Sequence, residues 1–176
     1  MSLGPTNFKL IEGMLKGELL DFLGVYAYSK ADSPNAIPTI ETHGFVDTQV
    51  ANTPAWNSDI AMDVLLYRFL HDMREYTGVD LVPTYSYLRV YKNGDVLKPH
   101  IDNEVCEYSV SITLKREGKD DIWPLCLETD KKYKVLLEEG DGLVYKGIEN
   151  SHWRDRFEGE RLAQVFLHYV RRPQND

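Results

Sequence analysis

His100-Ile101-Asp102 sets an imidazole and a carboxylate two residues apart, and His152 offers a second imidazole far downstream. In a strand, residues i and i+2 point to the same face, so His100 and Asp102 could grip one ion. His-x-Asp alone is a weak signal; its setting gives it weight. It follows a strand-like run, Thr84–Tyr91, and a turn, Lys92-Asn93-Gly94-Asp95, and it precedes a second run, Tyr108–Leu114. His152 comes after Gly140-Asp141-Gly142 and one more short strand. Two imidazoles and one carboxylate on one side of a metal suit Fe(II) and leave its remaining coordination positions open.

Arg161 adds a cation to this set. It opens the run Arg161-Leu162-Ala163-Gln164-Val165-Phe166-Leu167, where a period of two gives it the face of Ala163, Val165 and Leu167. An arginine leading an otherwise apolar, inward face needs an anion, because a buried unpaired charge is very costly. A guanidinium fork suits a carboxylate at the end of a narrow pocket. Arg154 is the next candidate for that clamp. His168 has the opposite parity to Arg161 and is expected to face away from the pocket.

The elements that must position these residues fall into two textures. Gly13 to Tyr28 mixes apolar and charged residues at helical spacing, and Ser29 to Thr39, with Pro34 and Pro38, reads as loop. The clearest helix spans about Asp59 to Tyr76, with Asn57, Ser58 and Asp59 as cap candidates and Gly78 as its stop. Met62, Leu65, Leu66, Phe69, Met73 and Tyr76 form its apolar stripe. After Gly78 come strand-like runs at Thr84–Tyr91, Tyr108–Leu114, Asp121–Glu128, Tyr133–Leu137, Gly142–Tyr145 and Leu162–Val170. Helices followed by many strands predict a mainly β, α+β protein, a jelly roll with N-terminal helices packed on one sheet.

The chain has 176 residues, 43% of them hydrophobic, with 28 acidic against 20 basic residues and a net charge of −8. That suits a single domain over 1–176, with a helical and loop part at about 5–80 and a strand-rich core at about 81–172. The acidic balance argues against a general phosphate-backbone binder. No stretch is apolar enough for a membrane span or a signal-peptide core, and two cysteines, Cys106 and Cys126, are too few for a disulfide framework. A soluble protein of the cytoplasm is the expectation.

The order Tyr91, His100-x-Asp102, Gly140-Asp141, His152 and Arg161 resembles the 2-oxoglutarate- and Fe(II)-dependent oxygenases, nearest the prolyl 4-hydroxylase type. The likeness covers about Thr84 to Val170. It implies a double-stranded β-helix, a jelly-roll variant, with iron held by His100, Asp102 and His152 as the catalytic centre. It also implies that Arg161 and Tyr91 bind the distal carboxylate of 2-oxoglutarate, with ascorbate a candidate reductant. The activity implied is hydroxylation of an unidentified substrate, a prolyl or other peptide side chain being the first guess, with release of succinate and CO2. Two departures stand out: Leu114 where some members carry a cosubstrate-contacting tyrosine, and Asp121-Ile122-Trp123-Pro124-Leu125 where many prolyl hydroxylases have a Gly-Gly-Glu-Thr-like stretch.

Tyr85, Tyr87 and Arg89 share the strand parity of Tyr91, and with Arg154 they are the candidate substrate contacts. His71 in the helix and His43 in a loop read as structural or solvated. A non-catalytic jelly-roll module binding a metal or small ligand is the alternative function, and turnover of 2-oxoglutarate separates the two. A nucleic-acid demethylase of the same superfamily is disfavoured by the charge, although Arg154, Arg156, Arg171 and Arg172 could form a local basic patch.

Overall fold

The structure is a computed structural model and describes residues 3–4, 6–34, 49–50, 53–118 and 123–173. Along the chain run β1 (Phe8–Ile11), α1 (Gly17–Asp32), β2 (Ala55–Asn57), α2 (Ile60–Arg68) and α3 (Leu70–Thr77). There follow β3 (Leu81–Lys92), β4 (Leu97–His100), β5 (Tyr108–Glu117), β6 (Leu125–Glu128) and β7 (Lys132–Val135). The last are β8 (Gly142–Tyr145), β9 (Ser151–Arg154) and β10 (Arg161–Arg171). Every pairing is antiparallel. The major sheet has the order β1-β8-β5-β10-β3-β2 and the minor sheet β4-β9-β6-β7. From β3 to β6 and again from β7 to β10 the chain changes sheet at each step, as in a jelly roll.

Local chemistry explains the helices. Asp59 caps α2, its carboxylate accepting from the backbone N–H groups of Ala61 and Met62. Gly78 ends α3 with φ 72°, a left-handed stop that a side chain would resist. The single helix expected over Asp59–Tyr76 is broken at Phe69, whose ψ of 1° leaves the helical region. Met62, Leu65, Leu66, Phe69 and Met73 nevertheless all stay buried in one cluster, so the break bends the stripe without dissolving it. α1 begins later than expected and continues through Ser29–Asp32, which had read as loop; no Gly or Pro occurs between Tyr28 and Pro34. The rest of that expected loop, 35–39, lies outside the described residues, as do His43 and Asp121-Ile122.

The two faces of the major sheet differ in kind. Val110, Ile112 and Leu114 of β5, Leu88 and Val90 of β3, and Ala163, Val165 and Leu167 of β10 join one apolar cluster with Leu23, Ala27, Leu65 and Leu66 of the helices. The opposite face carries Ser109, Ser111, Thr113, Arg89, Gln164 and His168, all buried. Those polar groups bond to one another: Thr113 Oγ1 donates to Gln164 Oε1 at 3.1 Å, and Gln164 Nε2 to Ser111 Oγ at 2.7 Å. Smaller apolar groups lie on this inner side, including Tyr91, Trp123, Phe157 and Leu162. Among the described residues, no helix is long and apolar enough to cross a membrane.

Candidate metal centre

β4 and β9 bring the two imidazoles together. Their register sets His100 directly opposite His152, with ring centroids 4.2 Å apart. Asp102 follows just beyond β4, where its backbone N–H donates to the Gly147 carbonyl at 2.9 Å. Its Oδ1 lies 3.7 Å from His100 Nε2 and 3.5 Å from His152 Nε2. One ligand atom from each of the three fits within 4.8 Å of the others.

The tautomers are fixed by backbone. His100 Nδ1 is 2.8 Å from the Lys98 carbonyl and His152 Nδ1 is 2.9 Å from the Asn150 carbonyl. A carbonyl only accepts, so each Nδ1 carries the proton and each Nε2 presents its lone pair toward Asp102. Burial, followed by the neighbouring His152, pushes the His100 pKa down and favours the neutral ring a metal needs. Burial works to raise the Asp102 pKa, but His152 and the other two histidines outweigh it and hold the carboxyl below its ordinary value. A neutral-imidazole pair with an ionised carboxylate is the donor set expected of a 2-His-1-carboxylate site.

Gly147 is a residue that motif reading passed over. A Cβ there would fall 2.2 Å from Asp102 Oδ2 and 2.6 Å from the Cys106 carbonyl oxygen. Only glycine lets this turn close onto the carboxylate.

A second cluster shares the carboxylate: Asp102, Cys106 and His168 also have ligand atoms within 4.8 Å of one another. His168 therefore looks into the interior, against the expectation that it faces away. Its Nδ1 is engaged by Ser109 Oγ at 2.8 Å, and burial pushes its pKa down to about 4. Cys106 lies 3.2 Å from the Tyr85 hydroxyl, and burial pushes its thiol up to about 12. A protonated thiol and an already bonded ring make this the poorer metal site.

The expected inward placement of Arg161 is not the one found. In the β3–β10 register Leu162 faces Tyr91, while Arg161 faces Lys92. Opposed residues share a face, so Arg161 cannot share the face of Tyr91. Its guanidinium instead binds Asp32 at 2.9 Å and Glu117 at 2.9 Å, and lies 4.2 Å over the Tyr28 ring, on the helix side. Its hydrogen bonds to Glu117 and then Asp32 raise its pKa further. Leu114 also belongs to the helix side, so its difference from a tyrosine does not touch the interior. On β5 it is Ser111 and Thr113 that face the interior, both bonded to Gln164.

Tyr85, Tyr87, Arg89 and Tyr91 do share the inner face of β3. Tyr85 lies 4.6 Å from the His168 ring and Tyr87 6.5 Å from Phe166, and Arg89 sits over both Tyr87 and Tyr91. Arg154, two residues past His152 on β9, is 1% exposed. It lies 4.8 Å over the Trp123 ring, and its Nη1 donates to the Trp123 carbonyl. Burial holds its pKa below the ordinary arginine value, partly offset by Tyr91 and Tyr145. His71, as read, is an exposed helix residue, 3.4 Å from Glu75.

Similar solved structures share this fold. A Pseudomonas putida prolyl-4-hydroxylase superposes with a TM-score of 0.73 at 17% identity, covering 97% of this chain and 96% of that one. The fold is that of the 2-oxoglutarate–Fe(II) oxygenases. A viral collagen prolyl hydroxylase from Paramecium Bursaria Chlorella virus-1, in its 2-oxoglutarate complex, has the same oxygenase fold, with a TM-score of 0.64 and 13% identity over 93% of this chain and 95% of that one. So does HygX from Streptomyces hygroscopicus, solved with nickel, 2-oxoglutarate and hygromycin B, with a TM-score of 0.69 and 15% identity over 97% and 85% of the two chains. No protein-family model and no curated protein matches the sequence.

Proposed function

We propose that this chain is an Fe(II)- and 2-oxoglutarate-dependent dioxygenase that hydroxylates an as yet unidentified substrate. The observation that carries the reading is the pair of imidazoles whose Nδ1 protons are spent on backbone carbonyls, leaving both Nε2 atoms beside the Asp102 carboxylate. His100, Asp102 and His152 would hold the metal. Bound Fe(II) with 2-oxoglutarate supplies insertion of one oxygen atom of O2 into a C–H bond, the other going to succinate as CO2 leaves.

The chain's own residues have three tasks in this reading. The Lys98 and Asn150 carbonyls orient the ligating rings, the Gly147 turn holds Asp102, and the buried inner face keeps water from the reacting centre. Tyr85, Tyr87 and Arg89 are assigned to substrate contact, because they share the inner face of β3 with Tyr91. Tyr91 is assigned to the cosubstrate. A prolyl or other peptide side chain remains the first substrate to try, with ascorbate as reductant. In this reading the chain is one cytoplasmic domain, a double-stranded β-helix with its helices backing the larger sheet.

The test is anaerobic titration with Fe(II) and then 2-oxoglutarate, following the weak visible charge-transfer band. The wild type should develop the band, and Asp102→Ala should lose metal affinity by more than the roughly 10–100-fold that removal of an outer-shell partner costs. Metal binding without a band would favour a metal-binding module that does not turn over 2-oxoglutarate. An Asp102→Ala variant that binds iron like the wild type would sink the assignment.

A further inference from the structure

The two oxygens of Asp102 have different neighbours. Oδ1 lies 3.7 Å from His100 Nε2 and 3.5 Å from His152 Nε2. Oδ2 is the oxygen within 3.3 Å of Ser109 Oγ. The register of the major sheet explains what stands behind that hydroxyl. Ser109 of β5 is directly opposite His168 of β10, both on the inner face, and His168 Nδ1 lies 2.8 Å from Ser109 Oγ. Both side chains are buried, so water is no substitute for either partner. The Tyr85 ring, 4.6 Å away, packs against the imidazole.

Counting protons fixes the direction of this chain. A serine hydroxyl donates once and accepts twice. The Asp102 carboxylate and the Cys106 carbonyl, the latter 3.5 Å from Ser109 Oγ, only accept. Were Ser109 to donate to His168, its lone pairs would face the carboxylate inside the protein, where a mismatched polar contact is most costly. With a proton on His168 Nδ1, the imidazole donates to Ser109 Oγ, and Ser109 gives its own proton to Oδ2, the nearer and charged acceptor. Tyr145, opposite Ser109 on β8, sets a phenol beside the same hydroxyl, whose second lone pair receives it. The assignment is the same whether the ring carries one proton or two.

A polar tie between β5 and β10 already exists nearby. Gln164 of β10 bonds to Ser111 and Thr113 of β5, a network that closes within the sheet. The His168 chain instead ends on a residue of the metal triad. We propose that His168, acting through Ser109, is a positioning residue of the metal centre: the relay engages Oδ2 and so presents Asp102 to the metal through Oδ1 alone. This rests on the function proposed above. A carboxylate that binds through both oxygens takes up an additional coordination position, one of those that a two-His, one-carboxylate set leaves open for reactants. The relay therefore keeps the site open as well as holding its ligand in place.

The test titrates the metal-free, full-length protein with Mn(II) by calorimetry, with the visible spectrum of the Co(II)-loaded protein as a second readout. Ser109→Ala and His168→Phe should each weaken Mn(II) by about tenfold, the lower end of the cost of removing an outer-shell partner. The double variant should lose no more than about twofold beyond either single one, since both cut the same relay. In all of these the Co(II) bands should weaken alike, because a carboxylate freed to bind through both oxygens raises the coordination number. Two amides separate positioning from packing. His168→Asn carries an N–H to the Nδ1 position and should restore Mn(II) affinity to within about threefold of wild type, whereas His168→Gln, reaching the Nε2 position, should not.

Circular dichroism and melting of the metal-free variants identify any that fails to fold. Should His168→Phe be one, Ser109→Ala and the two amides carry the test. Wild-type Mn(II) affinity and Co(II) spectrum in Ser109→Ala and His168→Phe overturn the relay and leave the proposed function standing. Losses that add in the double variant, or equal behaviour of the Asn and Gln variants, overturn it too, making the two residues ordinary packing. A wild type that binds neither ion overturns the proposed function together with the relay.

Discussion

Arg154 and Arg161 carry the same charge and stand in opposite circumstances. Arg161 sits at the edge of the helix-backed face, where its side chain keeps 32% exposure and has two carboxylates and a tyrosine ring around it. Arg154 lies on the inner side, fully enclosed, with one backbone carbonyl bonded and two nitrogens that have no partner among the described residues. A partly exposed ion pair is a modest contributor to stability, whereas a buried unpaired cation is a cost the fold must carry. The contrast separates what holds this molecule together from what it is built to do. The outer face spends its polar groups on itself, and the inner face holds some of them open.

The sharpest way to break that contrast is thermal unfolding of the metal-free, cosubstrate-free protein. Arg154→Met should raise the melting temperature by about 4–8 °C, because replacing a buried unpaired charge by an apolar side chain releases roughly 2 kcal/mol. A fall instead would mean that Arg154 is a structural cation, and the comparison would fail. Next in size is Gly147→Ala. The new Cβ would overlap Asp102 Oδ2, so the carboxylate must shift. Metal affinity should drop by about tenfold, the lower end of what disturbed ligand orientation costs, with the circular dichroism unchanged. A wild-type metal affinity would show that the turn has room to yield.

The same contrast explains what could be read from the residues and what could not. The meeting of His100, Asp102 and His152 was legible because His-x-Asp between two strand runs, with a later His, needs no knowledge of facing. The long strands β3, β5 and β10 were legible for a similar reason, since their β-branched and aromatic runs exceed any turn signal. The short strands β1, β2, β4 and β9 were not: each has three or four residues, and β9 reads Ser-His-Trp-Arg, without an apolar alternation. The parity of β10 was legible, but its direction was not. An apolar face is normally taken as the interior, yet Ala163, Val165 and Leu167 face the helices, and Leu162, Gln164, Phe166 and His168 face the site. β5 carries the same signal, with Ser109, Ser111 and Thr113 alternating against Val110, Ile112 and Leu114. In a protein whose sheet has helices on one side and a buried polar interior on the other, the polar face is the inner one, and that inversion moved Arg161 outward. That Arg154 Nε and Nη2 and the Tyr91 hydroxyl find no partner among the described residues shows only in three dimensions, since their strands lie in different sheets.

Arg161→Leu tests the outer half of the comparison. Loss of its two ion pairs and its stack on Tyr28 should cost about 1 kcal/mol, or about 2–4 °C in melting temperature. High salt should shrink the difference from wild type, because the pairs are partly exposed.

The smallest effect concerns another polar tie on that outer side. Asp59 accepts from Lys30 and Tyr26 of α1 while capping α2, so one carboxylate joins the two helical segments. Burial opposes its ionisation, but the bonds from Lys30, Tyr26 and the Met62 backbone prevail and leave its pKa below the ordinary aspartate value. A carboxyl whose pKa is depressed on folding stabilises the protein at pH values above its unfolded pKa. That contribution fades as pH falls from there through the folded pKa, because the unfolded chain takes up its proton first. Asp59→Asn should therefore be less stable than wild type near neutrality, and the gap should narrow on acidification below about pH 4, the unfolded aspartate range. Urea unfolding at a series of pH values measures it. A gap that stays constant down to the acid limb would mean the carboxylate acts here as a helix cap alone, with its charge contributing nothing, and the outer face would owe its polar cohesion to Arg161.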